Sequence, residues 1–133
     1  MTEELPFVDE HRTVIPRSRE RVWDVLDAYA GRSLRLSPLL ARALGTQPPV
    51  GFARRRVEAP ALLELGGRHR FSTYVLRFEL TDEAGGTLLR AGTYAAFPGL
   101  PGRAYRALVI GSHGHAWSVR RMLDAVSRGS LDG

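Results

Sequence analysis

The chain has 133 residues, 44% hydrophobic and 25% charged, a balance that suits one folded domain burying roughly two-thirds of its unfolded surface and excludes a disordered chain. Cysteine is absent, which removes disulfides, thiolate nucleophiles and thiolate metal sites together. The net charge is +5 and every one of the 19 basic residues is arginine, but they are scattered along the chain, whereas a nucleic-acid binder gathers such charge on one face among aromatic residues.

The opening MTEELPFVDEHR is acidic and has no basic-then-apolar run, so it reads as neither a secretory signal nor a transit peptide. The carboxylates of EELPFVDE read as a solvated terminus. No uncharged apolar stretch approaches the roughly 18 residues a membrane-spanning helix needs, and a cytoplasmic location is expected. Residues 8–15 mix β-branched and polar side chains up to Pro16 and predict a first strand. A helix follows, with Ser18 as N-cap, Val22, Val25, Leu26 and Tyr29 on one face, and Gly31 as its stop. Arg21 stands where a capping box would place Glu or Gln. A second, short helix is punctuated by Ser37 as cap, Pro38 at its first position and Gly45 past its end, with Leu39, Leu40 and Leu44 needing cover.

From residue 52 to 97 the pattern is of strands and turns: FARRRVEA, ALLEL, a GG break, RHRFSTYVLRFEL, a TDEAGG turn, and TLLRAGTYAAF. Alternation sends Arg55 to the face opposite Arg54 and Arg56. It also puts Tyr74, Leu76, Phe78 and Leu80 on one dry face and Arg77 and Glu79 on the other, as in an antiparallel sheet packed on one side. Leu89, Ala91, Thr93, Ala95 and Phe97 share a face on which three of the five are small, leaving either room for a ligand or close packing of a helix.

The stretch GSHGH tests what the last third does. Tyr105, Leu108, Val109, Ser112, His115, Ala116, Val119, Met122, Leu123 and Val126 recur at steps of three, one and three straight through the glycines, which predicts one helix over residues 105–126. Gly111 and Gly114 cost that helix about 2 kcal/mol relative to alanine, so a kink or a close backbone approach should accompany them. His113 joins Arg106 and Arg120 on the outer face. His115 lies on the buried stripe with Ser112, as a satisfied structural residue or as a ligand contact. Two histidines two positions apart on a helix cannot chelate together, and His11 and His69 lie in separate strands, so no metal site is expected. Ser112 and His115 lack a nucleophile elbow and a partnering acid, and neither GLPG nor GSHG is a phosphate loop. The tail SRGSLDG should fray, with residues 129–133 disordered beyond a single domain ordered over about residues 8–128.

The order strand, helix, short helix, antiparallel strands and long C-terminal helix resembles the START-like helix-grip (SRPBCC) superfamily, which includes polyketide cyclases and pollen-allergen-type ligand carriers. Two stretches carry the resemblance: HRTVIPRSRERVWDVL, a strand entering a helix through a proline turn with a Val-Trp pair, and YVLRFELTDEAGGTLLRAGTYAAFPGLPGRAYRALVIGSHGHAWSVRRML, a last hairpin feeding the long helix as in bacterial members of unknown function. The resemblance implies an α+β fold in which a curved antiparallel sheet wraps the C-terminal helix around a hydrophobic cavity. The superfamily has no universal catalytic residues, so it assigns none here.

The resulting expectation is a binding protein for an apolar or amphipathic small molecule, without cofactor or metal, as a monomer or homodimer. Leu40, Leu44, Tyr74, Leu76, Phe78, Phe97, Tyr105, Val109, Ser112 and His115 should line the space, with His115 or Tyr105 supplying a hydrogen bond. Two alternatives stay open: a cyclase- or hydrolase-like enzyme using His115 as general base in the same cavity, and a nucleic-acid or protein interaction module using the arginines.

Overall fold

The alternating segment before Pro16 forms β1 (Phe7–Ile15) and Ser18 then starts α1 (Arg19–Arg32), its hydroxyl accepting the Arg21 amide at 3.2 Å as an N-cap should. In this computed structural model the described residues are 5–32, 53–69, 72–97, 99, 103, 106 and 114–131. The short helix expected over residues 37–45 lies outside them. Val22, Trp23 and Leu26 of α1 are buried, with Val25, Tyr29 and Ala30 packed against the same cluster, so the helix buries one side.

Four further strands follow, β2 (Ala53–Glu58), β3 (Leu62–His69), β4 (Ser72–Glu83) and β5 (Gly86–Ala96), and then α2 (Gly114–Leu131). Among the described residues the strands form one antiparallel sheet in the order β1-β5-β4-β3-β2. Leu63, Leu65, Leu76, Phe78, Leu80, Leu89 and Ala91 on its inner face join Ile15, Val22, Leu26, Val119, Leu123 and Val126 in a single core. The architecture is α+β: a curved antiparallel sheet with α1 and α2 on one face, the C-terminal one held in its hollow in the manner of a helix-grip fold.

Several local expectations are corrected. The Gly66-Gly67 pair does not break the chain; β3 runs through it to His69, and β4 begins at Ser72. The reason is lateral. The side chain of Arg55 lies where a Cβ on Gly66 would stand, and the Tyr74 carbonyl is 3.3 Å from that point, so glycine serves a close approach rather than a turn. The TDEAGG turn shrinks to Ala84 and Gly85, with Gly85 at φ 81°. Between Arg54 and Arg56 the register shifts, so alternation fails: Arg54 pairs with Asp27 of α1 on the inner side, while Arg55 over Gly66 and Arg56 opposite Glu64 share the outer side.

The tail is also corrected at residues 129–131, which continue α2 to Leu131 with Ser130 fully buried. Here the missing capping box finds its explanation. Arg21 donates from Nη2 to the Gly129 carbonyl at 3.0 Å and from Nε to the Ser130 carbonyl at 3.3 Å, Arg17 reaches the Leu131 carbonyl at 3.4 Å, and Val25 abuts Gly129. Two guanidinium groups on the last carbonyls complement the negative end of the helix dipole and hold the final turn closed.

At the other side of this junction β5 begins against β1. A Cβ on Gly86 would overlap the Ile15 carbonyl and come within 2.9 Å of Pro16 Cα, backbone that cannot rotate away. Gly86→Ala should therefore cost about 1–3 kcal/mol by forcing β1 and β5 apart, read as a lowered urea midpoint with unchanged slope. A midpoint equal to wild type would show that the junction yields freely.

Candidate functional site

The pairing register gives the rows of the inner face, since directly opposed residues share a side of the sheet. One row runs His11, Ala91, Phe78, Leu63 and Val57, and the next runs Asp9, Thr93, Leu76, Leu65 and Arg54. Beyond them Tyr74 opposes Ala95. Large aliphatic groups fill the end near the β4–β5 turn, where Ile15, Leu80 and Leu89 lie. The far end is small and polar: Ala91, Thr93 and Ala95 from β5, half-buried Tyr74 from β4, and Asp9 and His11 from β1.

Asp9 and His11 are the pair that sequence reasoning missed. Asp9 was assigned to a solvated terminus and His11 to a strand without chemistry. The structure sets both on the inner face, with His11 Nε2 3.1 Å from Asp9 Oδ2 and side chains only 16% and 27% exposed. The signal was available: Ile15 must face inward as a strand's last apolar residue, and a period of two carries that face back through Thr13 to His11 and Asp9. An ionised carboxylate can only accept, so this contact places a hydrogen on Nε2. Thr93, directly across from Asp9, is buried as well.

The C-terminal helix brackets this end. It packs chiefly along β1 and against α1, and its last carbonyl meets Arg17 just past β1, so helix and strand run in the same direction. Asp9 and His11 lie about 13–20 Å back along β1 from Ile15, the length of about nine to thirteen helical residues. Counted back from Leu131, that length reaches about residues 118–122, so the middle of α2 is level with them.

Of the residues expected to line the space, Leu76 and Phe78 belong to the packed core, while Tyr74 and Phe97 are half-buried, with the Arg106 guanidinium 5.8 Å from the Phe97 ring centroid. Leu40, Leu44, Tyr105, Val109 and Ser112 lie outside the described residues, as does the glycine-spanning part of the long helix. Among the described residues no three His, Asp or Glu side chains converge as a metal site would require, and no helix is long and apolar enough to cross a membrane.

The outer face differs in kind. Glu64, 4% exposed, receives Arg77 Nε at 3.0 Å and Nη2 at 2.9 Å, and Arg77 lies 5.5 Å from the centroid of Tyr94, whose ring covers Gly92 and meets Phe7 edge-on at 5.7 Å. Burial works against the charge on Arg77, but the hydrogen bond and charge of Glu64 outweigh it and hold the guanidinium above its ordinary pKa. Arg90 pairs with Glu79, Arg12 with Glu10 and Arg56 with Glu58, so this face is laced with local ion pairs.

No protein-family model and no curated protein matches the chain. Solved structures do. A putative uncharacterized protein from Rhizobium leguminosarum is 12% identical, with 94% of each chain covered and a TM-score of 0.62. A conserved protein from Geobacillus kaustophilus is 11% identical, covering 92% of this chain and 94% of its own, at 0.58. CalU16 from Micromonospora echinospora is 16% identical over 92% of this chain and 80% of its own, at 0.54. At these identities the likeness is one of fold, and it extends over nearly the whole chain.

Proposed function

We propose that this protein binds an apolar or amphipathic small molecule between the inner face of the sheet and α2, as a single-domain member of the START-like superfamily. The observation that carries this reading is the run Ala91, Thr93 and Ala95 on the inner face of β5, beside half-buried Tyr74 and beneath the end of the sheet that the large aliphatic core residues leave. On this reading the small side chains make room for a ligand, and removing its apolar surface from water contributes roughly 25 cal/mol per Å². The ion pairing of Arg12, Arg54, Arg56, Arg77 and Arg90 favours this reading over an arginine-driven nucleic-acid module, since their charge is already met within the chain.

Native mass spectrometry of the freshly purified protein should reveal a retained small molecule. Titration with 1-anilinonaphthalene-8-sulfonate should then saturate at one site per chain, and Ala95→Phe, which fills the space, should weaken it at least about tenfold while unfolding stays cooperative. Absence of both a retained compound and saturable probe binding would overturn the reading.

A further inference from the structure

The Asp9–His11 pair has the layout of a base rather than of a structural ion pair. Both groups sit on the face that otherwise forms the core, His11 over the small side chain of Ala91 and Asp9 opposite Thr93. The other short-range strand pairs, Glu10 with Arg12 and Arg56 with Glu58, lie on the solvated outer face, whereas Asp9 and His11 give up solvation on the inner one. Because Asp9 takes the hydrogen on Nε2, the neutral imidazole presents its lone pair at Nδ1. Among the described residues no group donates to that nitrogen. Asp9 also stabilises the imidazolium that forms once Nδ1 has taken a proton.

We propose that His11, backed by Asp9, is the polar anchor of the site and accepts the hydroxyl of a bound molecule acidic enough to give up its proton, a phenol or an enol. This rests on the binding reading above and adds the ligand class to it. The step balances simply. The ligand O–H bond breaks, its proton moves to Nδ1, the electron pair stays on oxygen, and an oxyanion is left beside the imidazolium with nothing oxidised or reduced. Ala91, directly across from His11, leaves its side of the pair apolar and strengthens the charge pair so formed. The sequence offered His115 as a base only under the enzyme alternative; the base proposed here is instead a strand residue whose partner acid is visible.

The test compares 4-nitrophenol with nitrobenzene, which has the ring and the nitro group without the hydroxyl, in a buffer where free 4-nitrophenol is mostly neutral. Wild-type protein should bind 4-nitrophenol at least about tenfold more tightly than nitrobenzene and should turn the bound compound yellow as its phenolate. His11→Gln should abolish the colour and bring the affinities for the two compounds within about twofold of each other. Asp9→Asn should lose the colour and only part of the affinity, a split that a purely structural role would not produce, and it serves as the second variant if His11→Gln folds poorly. Equal affinities for the two compounds, or a yellow complex surviving both substitutions, would overturn the proposal while leaving the binding site intact. Binding of neither compound would overturn both.

Discussion

Arg77→Met should destabilise the fold by about 3 kcal/mol, and the double variant Glu64→Leu with Arg77→Met should recover all but about 1 kcal/mol of it. The two partners are buried unequally: the Glu64 side chain is 6% exposed and that of Arg77 23%. Removing the guanidinium strands a carboxylate with almost no access to water, whereas removing the carboxylate leaves a long cationic side chain that can turn to solvent. Glu64→Gln should accordingly cost only about 1 kcal/mol, since the amide oxygen still accepts from Arg77. Because the pair lies largely out of water, the loss in Arg77→Met should persist at high salt, unlike the loss from the exposed Arg12 and Glu10. Urea unfolding of these four proteins and of Arg12→Met at low and high ionic strength checks all of this. Equal losses for the two single substitutions would show that depth does not govern the pair.

Phe78→Ala should cost about 3–5 kcal/mol, a large share of the 5–15 kcal/mol that a domain of this size commonly has. Phe78 is fully buried in the middle strand of the sheet, between Leu63 on β3 and Ala91 on β5. Ala91 is too small to move into the space, and the neighbouring leucines are held by the strands on either side, so the cavity collapses poorly. Tyr74→Ala, on the same face but half-buried, should lose about 1 kcal/mol or less of stability while weakening 1-anilinonaphthalene-8-sulfonate binding severalfold. Thermal unfolding and probe titration on both variants separate residues that build the floor from residues that meet a guest. The opposite pattern, a stable Phe78→Ala with damaged binding, would move the site deeper into the sheet.

Elements whose burial is one-sided and local were legible in the chain. The alternation of Leu76, Phe78 and Leu80 against Arg77 and Glu79, the Ser18 cap, the stop at Pro16 and the small residues of β5 each encode their structure within a few positions. What could not be read depends on partners distant in sequence. Gly66-Gly67 looks like a turn until the side chain of Arg55 is seen crossing it, and the shift at Arg54 to Arg56 reverses a face because β3 pairs with one residue fewer. The last turn of α2 looks frayed until Arg17 and Arg21, more than a hundred residues earlier, are placed on its carbonyls. Asp9 and His11 were legible by period and were missed because acidic composition near the terminus outweighed it. The likeness to the helix-grip fold anticipated the sheet and the helix in its hollow, and it was silent on chemistry.

The guanidinium clasp at the end of α2 gives the molecule a pivot. With Arg17 and Arg21 pinning the helix beside Ile15 and Val25 wedged at Gly129, the long helix is a lever with its fulcrum at the C-terminus. Small tilts about that point are magnified toward residue 114, the end of α2 farthest from the clasp.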